Sequence, residues 1–196
     1  MIAMAARLSH ADVMQIIPHN ITLAAAFVPL ALAATPAHAG DQTWEDAGSA
    51  VRTALVLAAV GVPAVEGDGD GALQAGMSLG ATFLATEGLK QSFPELRPDG
   101  SDRRSFPSGH TSISFAAAAT LMERQGRDVG IAAHVAAAFV GLSRVEADKH
   151  HVHDVLVGAA IGEIAGLLLT RKPRENMVIM PWGDTNGGGI HFAMRF

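Results

Sequence analysis

The middle of the chain holds side chains whose types and spacing suit the cleavage of a phosphate ester. Such a reaction needs cations for the phosphate oxygens, a nucleophile, a proton donor and a group that orients the nucleophile. All four kinds of group occur between residues 90 and 154. They are carried by three segments, Lys90-x6-Arg97-Pro98, Pro107-Ser108-Gly109-His110 and Ser143-Arg144-x5-His150-x3-Asp154.

The second segment predicts the start of a helix that can hold an anion. Ser108 is a favourable N-cap residue, and Pro107 before it punctuates the start of the helix. The N–H groups of Gly109 and His110 then point out of the helix end, where the helix dipole also favours negative charge. Gly109 lets a ligand approach the backbone closely. The cations expected at the same place are Lys90, Arg97 and Arg144.

Two histidines, His110 and His150, remain for the chemical steps. Either neutral imidazole is nucleophilic enough near pH 7 to attack phosphorus. Asp154 follows His150 by one helical turn if that stretch is helical, so its carboxylate could hold the Nδ1–H of His150 and leave Nε2 exposed. His110 has no acid nearby in sequence and suits a general acid that protonates the leaving oxygen. The pattern therefore favours His150 as the nucleophile.

The elements that must position these residues are helices. Hydrophobic periodicity and Gly/Pro punctuation predict an all-α protein, an antiparallel helical bundle of about five to six helices with a short non-helical C-terminal tail. Helices are predicted at residues 43–60, 72–90, 108–124, 128–145 and 154–170. The second ends at Lys90 and the third begins at Ser108. The fourth ends at Arg144 and the fifth begins at Asp154, so all these points meet at one end of an antiparallel bundle.

The two ends of the chain differ from the predicted helical domain, 40–176. Residues 1–39 have the pattern of a signal peptide that is cleaved after Ala37-His38-Ala39, although an uncleaved first helix fits the same apolar run. The tail, 177–196, places two apolar stretches around a run of three glycines. This arrangement predicts a hairpin or an irregular flap.

The composition limits the function classes. The chain has 196 residues, a formal net charge of −5 and no Cys. The negative charge argues against a nucleic-acid partner, and the lack of Cys excludes disulfides, thiol catalysis and Cys-ligated metals. The apolar, Ala-rich sequence and the pair Gly76 and Gly80 predict closely packed helices.

The apolar runs are shorter than the roughly 20 residues that a bilayer span needs. Basic residues at 124, 127 and 171–174 nevertheless cluster at the end opposite the predicted site, as a cytoplasmic face requires. We therefore expect a protein of the bacterial cell envelope, integral to the inner membrane with its site facing the periplasm. A soluble periplasmic protein is the second possibility.

Together the three segments resemble the signature of the type-2 phosphatidic acid phosphatase superfamily, which includes vanadium haloperoxidases and bacterial class A acid phosphatases. The resemblance implies a helical-bundle phosphatase that hydrolyses phosphomonoester or pyrophosphate groups of a lipid or small phosphoester, without a metal or other cofactor. It implies a phosphohistidine at His150, acid–base work at His110 and orientation of His150 by Asp154. The phosphate-binding residues that it implies are Lys90, Arg97, Ser108, Gly109 and Arg144.

The positions between His150 and Asp154 depart from the superfamily pattern, in which a bulky aromatic and a Ser are frequent. Here they are His151, Val152 and His153. These histidines, with His150 and Asp154, could instead bind a metal, but that hypothesis leaves the Lys and Arg positions unexplained. Three further functions fit parts of the same pattern: a soluble broad-specificity acid phosphatase, a vanadate-dependent haloperoxidase and a non-enzymatic bundle that binds lipids or anions.

Overall fold

The computed structural model describes residues 40–171, 177–184 and 187–194. In that part of the chain five α-helices follow one another and two strands come last. The elements are α1 (Asp41–Val65), α2 (Gly69–Ser92), α3 (Gly109–Gln125), α4 (Arg127–Glu146), α5 (Val152–Leu169), β1 (Met177–Asp184) and β2 (Gly187–Met194). The prediction of an all-α bundle is confirmed. The predicted signal peptide, 1–39, lies outside the described residues.

Most helices begin and end close to the residues that the sequence signals predict. Asp68 caps α2, because its side chain accepts a hydrogen bond from the Gly71 N–H at 3.0 Å. Gly126 separates α3 from α4 with a φ of 94°, a backbone conformation that favours glycine. The predicted end of the first helix at residue 60 is wrong, since α1 continues to Val65. Pro63 lies in the last turn, where its missing N–H removes only a single helical hydrogen bond.

Helix α3 packs at the centre of the bundle through small residues. The alanines at 116–119 are completely buried. Helix α5 approaches α3 through Gly158, Gly162 and Gly166, which share one helix face because they are four residues apart. A Cβ atom added to Gly158 would lie 2.6 Å from the Ser108 carbonyl oxygen. The glycines therefore hold the start of α5 against the start of α3, where the predicted site residues lie.

Replacing Gly162 with alanine should destabilise the bundle by about 1–3 kcal/mol, the usual effect of overpacking. The new Cβ would clash with the Ser112 carbonyl oxygen and lie 2.8 Å from the Ala116 nitrogen, and neither backbone atom can move alone. Thermal unfolding in detergent measures this loss of stability. It is followed by circular dichroism at 222 nm, a wavelength that reports roughly on helix content.

The matched control is Gly76→Ala. The prediction that Gly76 and Gly80 mediate close packing is wrong, because both are exposed and a Cβ added to either meets nothing within 4 Å. Alanine at position 76 should raise stability by about 0.5–1 kcal/mol, since it restricts the unfolded chain and favours the helix. Equal losses in the two variants would contradict the close α3–α5 contact.

Among the described residues, three helices are long and apolar enough to cross a membrane: Asp41–Val65, Arg127–Glu146 and Val152–Leu169. The apolar runs that seemed too short in the sequence are extended by polar residues at their ends, which still belong to the helices. Large apolar side chains such as Leu57, Leu142 and Leu168 are exposed on them. Such outward-facing apolar residues are expected where the surrounding medium is lipid. These features fit a membrane protein.

The tail contains two strands, β1 and β2, that pair in antiparallel register. Met177 lies opposite Met194, and Asp184 lies opposite Gly187 at the turn end. The glycine run thus begins the second strand.

Candidate active site

The predicted segments converge at one end of the bundle around a cavity of about 280 Å³. Helices α2 and α4 end here, and α1, α3 and α5 begin here. Both predicted histidines line the cavity, together with four basic side chains and one helix-start glycine. These residues are His110, His150, Arg52, Lys90, Arg97, Arg104 and Gly109.

His150 lies on the loop between α4 and α5, and only 4% of its side chain is exposed. Its Nδ1 atom is 3.6 Å from Asp154 Oδ2, longer than a hydrogen bond. Within the described residues this buried Nδ1 has no hydrogen-bond partner. The stretch from 150 to 154 is not one helical turn, because α5 begins at Val152. The loop nevertheless places the imidazole beside the carboxylate.

Asp154 is completely buried and is held by two donors. Its Oδ2 atom accepts hydrogen bonds from Ser105 Oγ at 2.5 Å and from the His151 N–H at 2.8 Å. The second of these bonds is part of a capping box at the start of α5. Ser105 was not predicted from the sequence, because it lies two residues before the Pro107-Ser108-Gly109-His110 segment and carries no signal of its own.

His110 is the second residue of α3 and contacts α1. Its Nε2 atom lies 3.3 Å from Ser49 Oγ. Helix α1 was not expected to contribute to the site. It comes close because Gly48 packs against α4, where an added Cβ would clash with Ser143 Oγ.

Lys90 lies in the last turn of α2 and binds the loop that leads to α3. Its Nζ atom donates to the carbonyl oxygens of Arg104 at 2.7 Å and Pro107 at 2.6 Å, and lies 3.4 Å from that of Ser105. An ammonium group has three N–H donors, so these contacts can occupy all of them. Lys90 therefore positions the segment that carries Ser105 and His110, and it also places a positive charge at the cavity wall.

Arg144 and Ser108 are buried and are not among the residues that line the cavity. Arg144 is 1% exposed, and its guanidinium donates to the Glu45 carbonyl oxygen at 2.6 Å. Ser108 occupies the N-cap position of α3, but its hydroxyl pairs with Thr111 Oγ1 at 2.9 Å and does not cap the backbone. Its N–H donates to the Asp154 carbonyl oxygen at 3.0 Å. In the described structure both predicted phosphate-binding residues therefore bond to neighbouring protein groups and hold the helices that carry the cavity residues.

Three arginines reach the cavity from different elements. Arg97 is oriented by Asp102, whose Oδ1 accepts from Arg97 Nε at 2.8 Å. Arg104 pairs with Glu87 and also lines the cavity. Arg52, on α1, was not identified from the sequence. Its only signal there is a lone Arg within an apolar helix.

Burial and neighbouring cations keep both histidines neutral. Burial lowers the pKa of His150 to about 4, and the charges of Lys90 and Arg97 act in the same direction. Burial likewise lowers the pKa of His110 to about 3, helped by Arg144 and Arg52. A neutral His150 suits a nucleophile. An anion in the cavity would offset the cations and raise the pKa of His110, which would then suit a proton donor.

A known protein family matches the part of the chain that carries both cavity histidines. The family model of the PAP2 superfamily matches residues 99–177. This part of the chain is therefore similar to the PAP2 superfamily. The resemblance drawn from the three segments is thereby confirmed.

Similar proteins extend the likeness beyond the PAP2 region. The lipid A 1-phosphatase of Porphyromonas gingivalis is 43% identical over 82 residues, which are 40% of this chain and 18% of that protein. The LpxE structure from Aquifex aeolicus aligns with a TM-score of 0.59 and 21% identity, over 73% of this chain and 92% of that one.

A second solved structure is the first transmembrane PAP2 type phosphatidylglycerolphosphate phosphatase from Bacillus subtilis. Its TM-score is 0.51 and its identity 23%, over 80% of this chain and 87% of that one. At these identities the two structures establish the shared fold.

The PAP2 region contains only part of the cavity. His110, His150 and Arg104 lie within residues 99–177, as does the buried Asp154 beside them. Lys90 and Arg97 precede the region, and Arg52 lies on a helix far upstream. These three cations are therefore supplied by parts of the chain that the PAP2 match does not cover.

Proposed function

We propose that this protein is a membrane phosphatase that hydrolyses a phosphate group of a lipid through a phosphohistidine at His150. The observation that carries the proposal is the shared cavity, in which two histidines face four basic side chains and one histidine lies 3.6 Å from a buried carboxylate. Cations around such a pocket stabilise the charge of a transferring phosphoryl group.

In the first chemical step, His150 Nε2 attacks phosphorus and a P–N bond forms. The bond from phosphorus to the leaving oxygen breaks, and His110 gives that oxygen its proton. Asp154 lies on the Nδ1 side of His150, where its negative charge stabilises the positive charge that develops on the imidazole. The first N–H groups of α3 and the guanidinium groups of Arg52 and Arg97 bind the phosphoryl oxygens.

In the second step, His110 takes a proton from water as the water oxygen attacks phosphorus. The P–N bond breaks and its electron pair returns to His150, so that inorganic phosphate leaves and both histidines regain their starting states. Each step thus needs the same two histidines in alternating roles.

The substrate class follows from the surroundings of the cavity. Exposed apolar side chains cover the candidate membrane helices, so a lipid can present its phosphate from the bilayer. The similarity to a lipid A 1-phosphatase supports the same class. Phosphate release in detergent micelles should be compared for glycolipid, phosphatidate, phosphatidylglycerophosphate and polyprenyl substrates and for soluble esters, with His150→Ala as the blank. Turnover of soluble esters with no preference for any lipid would contradict the proposal.

We place the site end at the periplasmic face, because α1 starts there and an exported Gly40 would precede it. The chain has no Cys, so a single cysteine at Arg103, in the exposed loop of the site end, is a clean probe. A membrane-impermeant maleimide should label it in intact spheroplasts. Labelling only after lysis would contradict this orientation.

Removing Arg52 should lower kcat/KM by about 10- to 100-fold. The residue lines the cavity, and a charge-assisted hydrogen bond to phosphate contributes about 1.5–3 kcal/mol. Steady-state kinetics of Arg52→Ala with the preferred lipid measure the loss, and Arg52→Lys should recover part of it. The control is Arg103→Ala, an exposed arginine of the same end that does not line the cavity. Equal losses in both alanine variants would remove Arg52 from the site.

The pH profile should have an unusually acidic lower limb. An ordinary histidine nucleophile loses activity as it is protonated below about pH 6.5. The pKa of His150 is lowered to about 4, so the neutral nucleophile persists through weakly acidic pH. We expect the acidic side of the kcat/KM profile, corrected for ionisation of the substrate phosphate, to fall below about pH 5. A limb near the ordinary histidine value would show that His150 is not the group that titrates.

A further inference from the structure

A cluster of four potential ligands lies beside the active site and takes no part in the proposed steps, apart from the shared Asp154. It consists of Glu95, in the loop after α2, and His151, His153 and Asp154 at the start of α5. One donor atom from each residue lies within 4.8 Å of every other. This cluster differs from the metal hypothesis raised by the sequence, because Glu95 takes the place of His150.

The distances within the cluster match the edges of a small coordination polyhedron. His151 Nδ1 is 3.4 Å from Glu95 Oε1 and 3.4 Å from Asp154 Oδ2. His153 Nε2 is 3.0 Å from Glu95 Oε1 and 3.2 Å from Asp154 Oδ1. Ligands at about 2.0–2.1 Å from a tetrahedral zinc ion are about 3.3–3.4 Å apart. Only small movements would therefore close the four residues on one ion.

Ordinary ion pairing explains only part of this arrangement. His153 donates to Glu95 at 3.0 Å, which accounts for the glutamate oxygens. Asp154 Oδ1, in contrast, is buried in a side chain with 0% exposure and has no hydrogen-bond partner among the residues that the structure describes. An unpartnered buried carboxylate oxygen is unfavourable. A cation between this oxygen and the two neighbouring imidazole rings, which stack 5.2 Å apart, would satisfy it.

We propose that Glu95, His151, His153 and Asp154 form a binding site for Zn²⁺ or a similar borderline transition metal, which inhibits the enzyme. Two imidazoles and two carboxylates are a donor set that zinc accepts. The inhibitory role rests on the proposed function. Because the metal would share Asp154 with His150, it would withdraw the negative charge that supports the nucleophile.

Metal binding is tested without reference to activity. The full chain in detergent is freed of metal and titrated with Co²⁺, whose visible absorption becomes intense in tetrahedral sites, and then with Zn²⁺ as competitor. We expect one tight site in the wild type and binding at least about tenfold weaker in His153→Gln and in Glu95→Gln. His134→Gln is the matched control, since His134 pairs with Glu163 at 3.0 Å but lies outside the cluster. Unchanged affinity in both cluster variants would overturn the site.

Inhibition is tested in the same proteins. Zn²⁺ at saturation should lower wild-type kcat about tenfold, and EDTA should restore it. His153→Gln should keep its basal activity and resist the same zinc concentration. Zinc binding without inhibition would overturn the coupling to His150. A wild type that binds cobalt tightly but hydrolyses no phosphoester would instead overturn the proposed function and leave the metal site standing.

Discussion

Replacing His150 with alanine should abolish turnover of every substrate, because the proposed P–N bond forms on its imidazole. The side chain is buried at the cavity wall beside Asp154, and the second imidazole of the cavity, His110, has no hydrogen bond or ion pair to a carboxylate in the described structure. We expect a loss of at least about a thousandfold in kcat, as for removal of other catalytic nucleophiles. Phosphate release from lipid and from p-nitrophenyl phosphate measures it.

Replacing His110 with alanine should have an effect that depends on the leaving group. An alkyl phosphate has a poor leaving group and needs the proton that His110 supplies, so its hydrolysis should collapse. The nitrophenolate of p-nitrophenyl phosphate leaves without a proton, so the first step should survive in part. The second step should lag, since His110 also activates water. A burst of nitrophenol followed by slow turnover is therefore expected, with acid-labile phosphate held on the protein.

The two variants control for each other, because both remove an imidazole from the same cavity wall. Ser49→Ala adds a milder test, since it removes the hydroxyl 3.3 Å from His110 Nε2 and leaves the ring in place. If the burst occurs in His150→Ala instead, the nucleophile and the acid have been assigned in reverse.

The convergence of the site could be predicted from the sequence because it depends on helix ends alone. Lys90 lies in the last turn of α2 and Gly109 starts α3, and capping residues and Gly/Pro breaks mark such ends locally. Antiparallel order then places these ends together without any knowledge of packing. The same reasoning could not find Arg52 or Ser49. Their position depends on how α1 is rotated against its neighbours, which is decided by the close approach at Gly48.

The short-range geometry of the site could not be predicted from the sequence either. The i,i+4 spacing suggested one helical turn from His150 to Asp154, but His151 is the N-cap residue of α5 and His150 precedes the helix. Likewise, Arg144 was expected among the phosphate ligands, whereas its guanidinium binds the carbonyl oxygen of Glu45. Residue type and spacing indicate which groups meet at one end of the bundle. The backbone path of the loops decides which of them face the cavity.

Replacing Asp154 with asparagine should lower kcat about a hundredfold and leave the fold intact. The buried Oδ2 atom accepts from Ser105 Oγ and from the His151 N–H, and an asparagine carbonyl oxygen in its place can accept both bonds. The amide NH₂ then takes the position of Oδ1, which has no hydrogen-bond partner within the described residues. The negative charge is lost, together with the ion pair of Oδ1 with the exposed His153 Nε2 at 3.2 Å, so thermal unfolding should change little.

That charge acts on His150 as the imidazole becomes positive, which happens in the transition state and in the phosphohistidine. The loss should therefore fall on kcat, with KM nearly unchanged. Glu95→Gln, assayed without added metal, is the matched control: it removes a carboxylate charge from the same rim, but Glu95 contacts His151 and His153 and is not paired with His150. Ser105→Ala should lie between the two variants, because it frees the Asp154 carboxylate without removing its charge. A similar kcat for Asp154→Asn and Glu95→Gln would show that His150 is stabilised by the summed negative charge of the neighbouring carboxylates and not by Asp154 in particular.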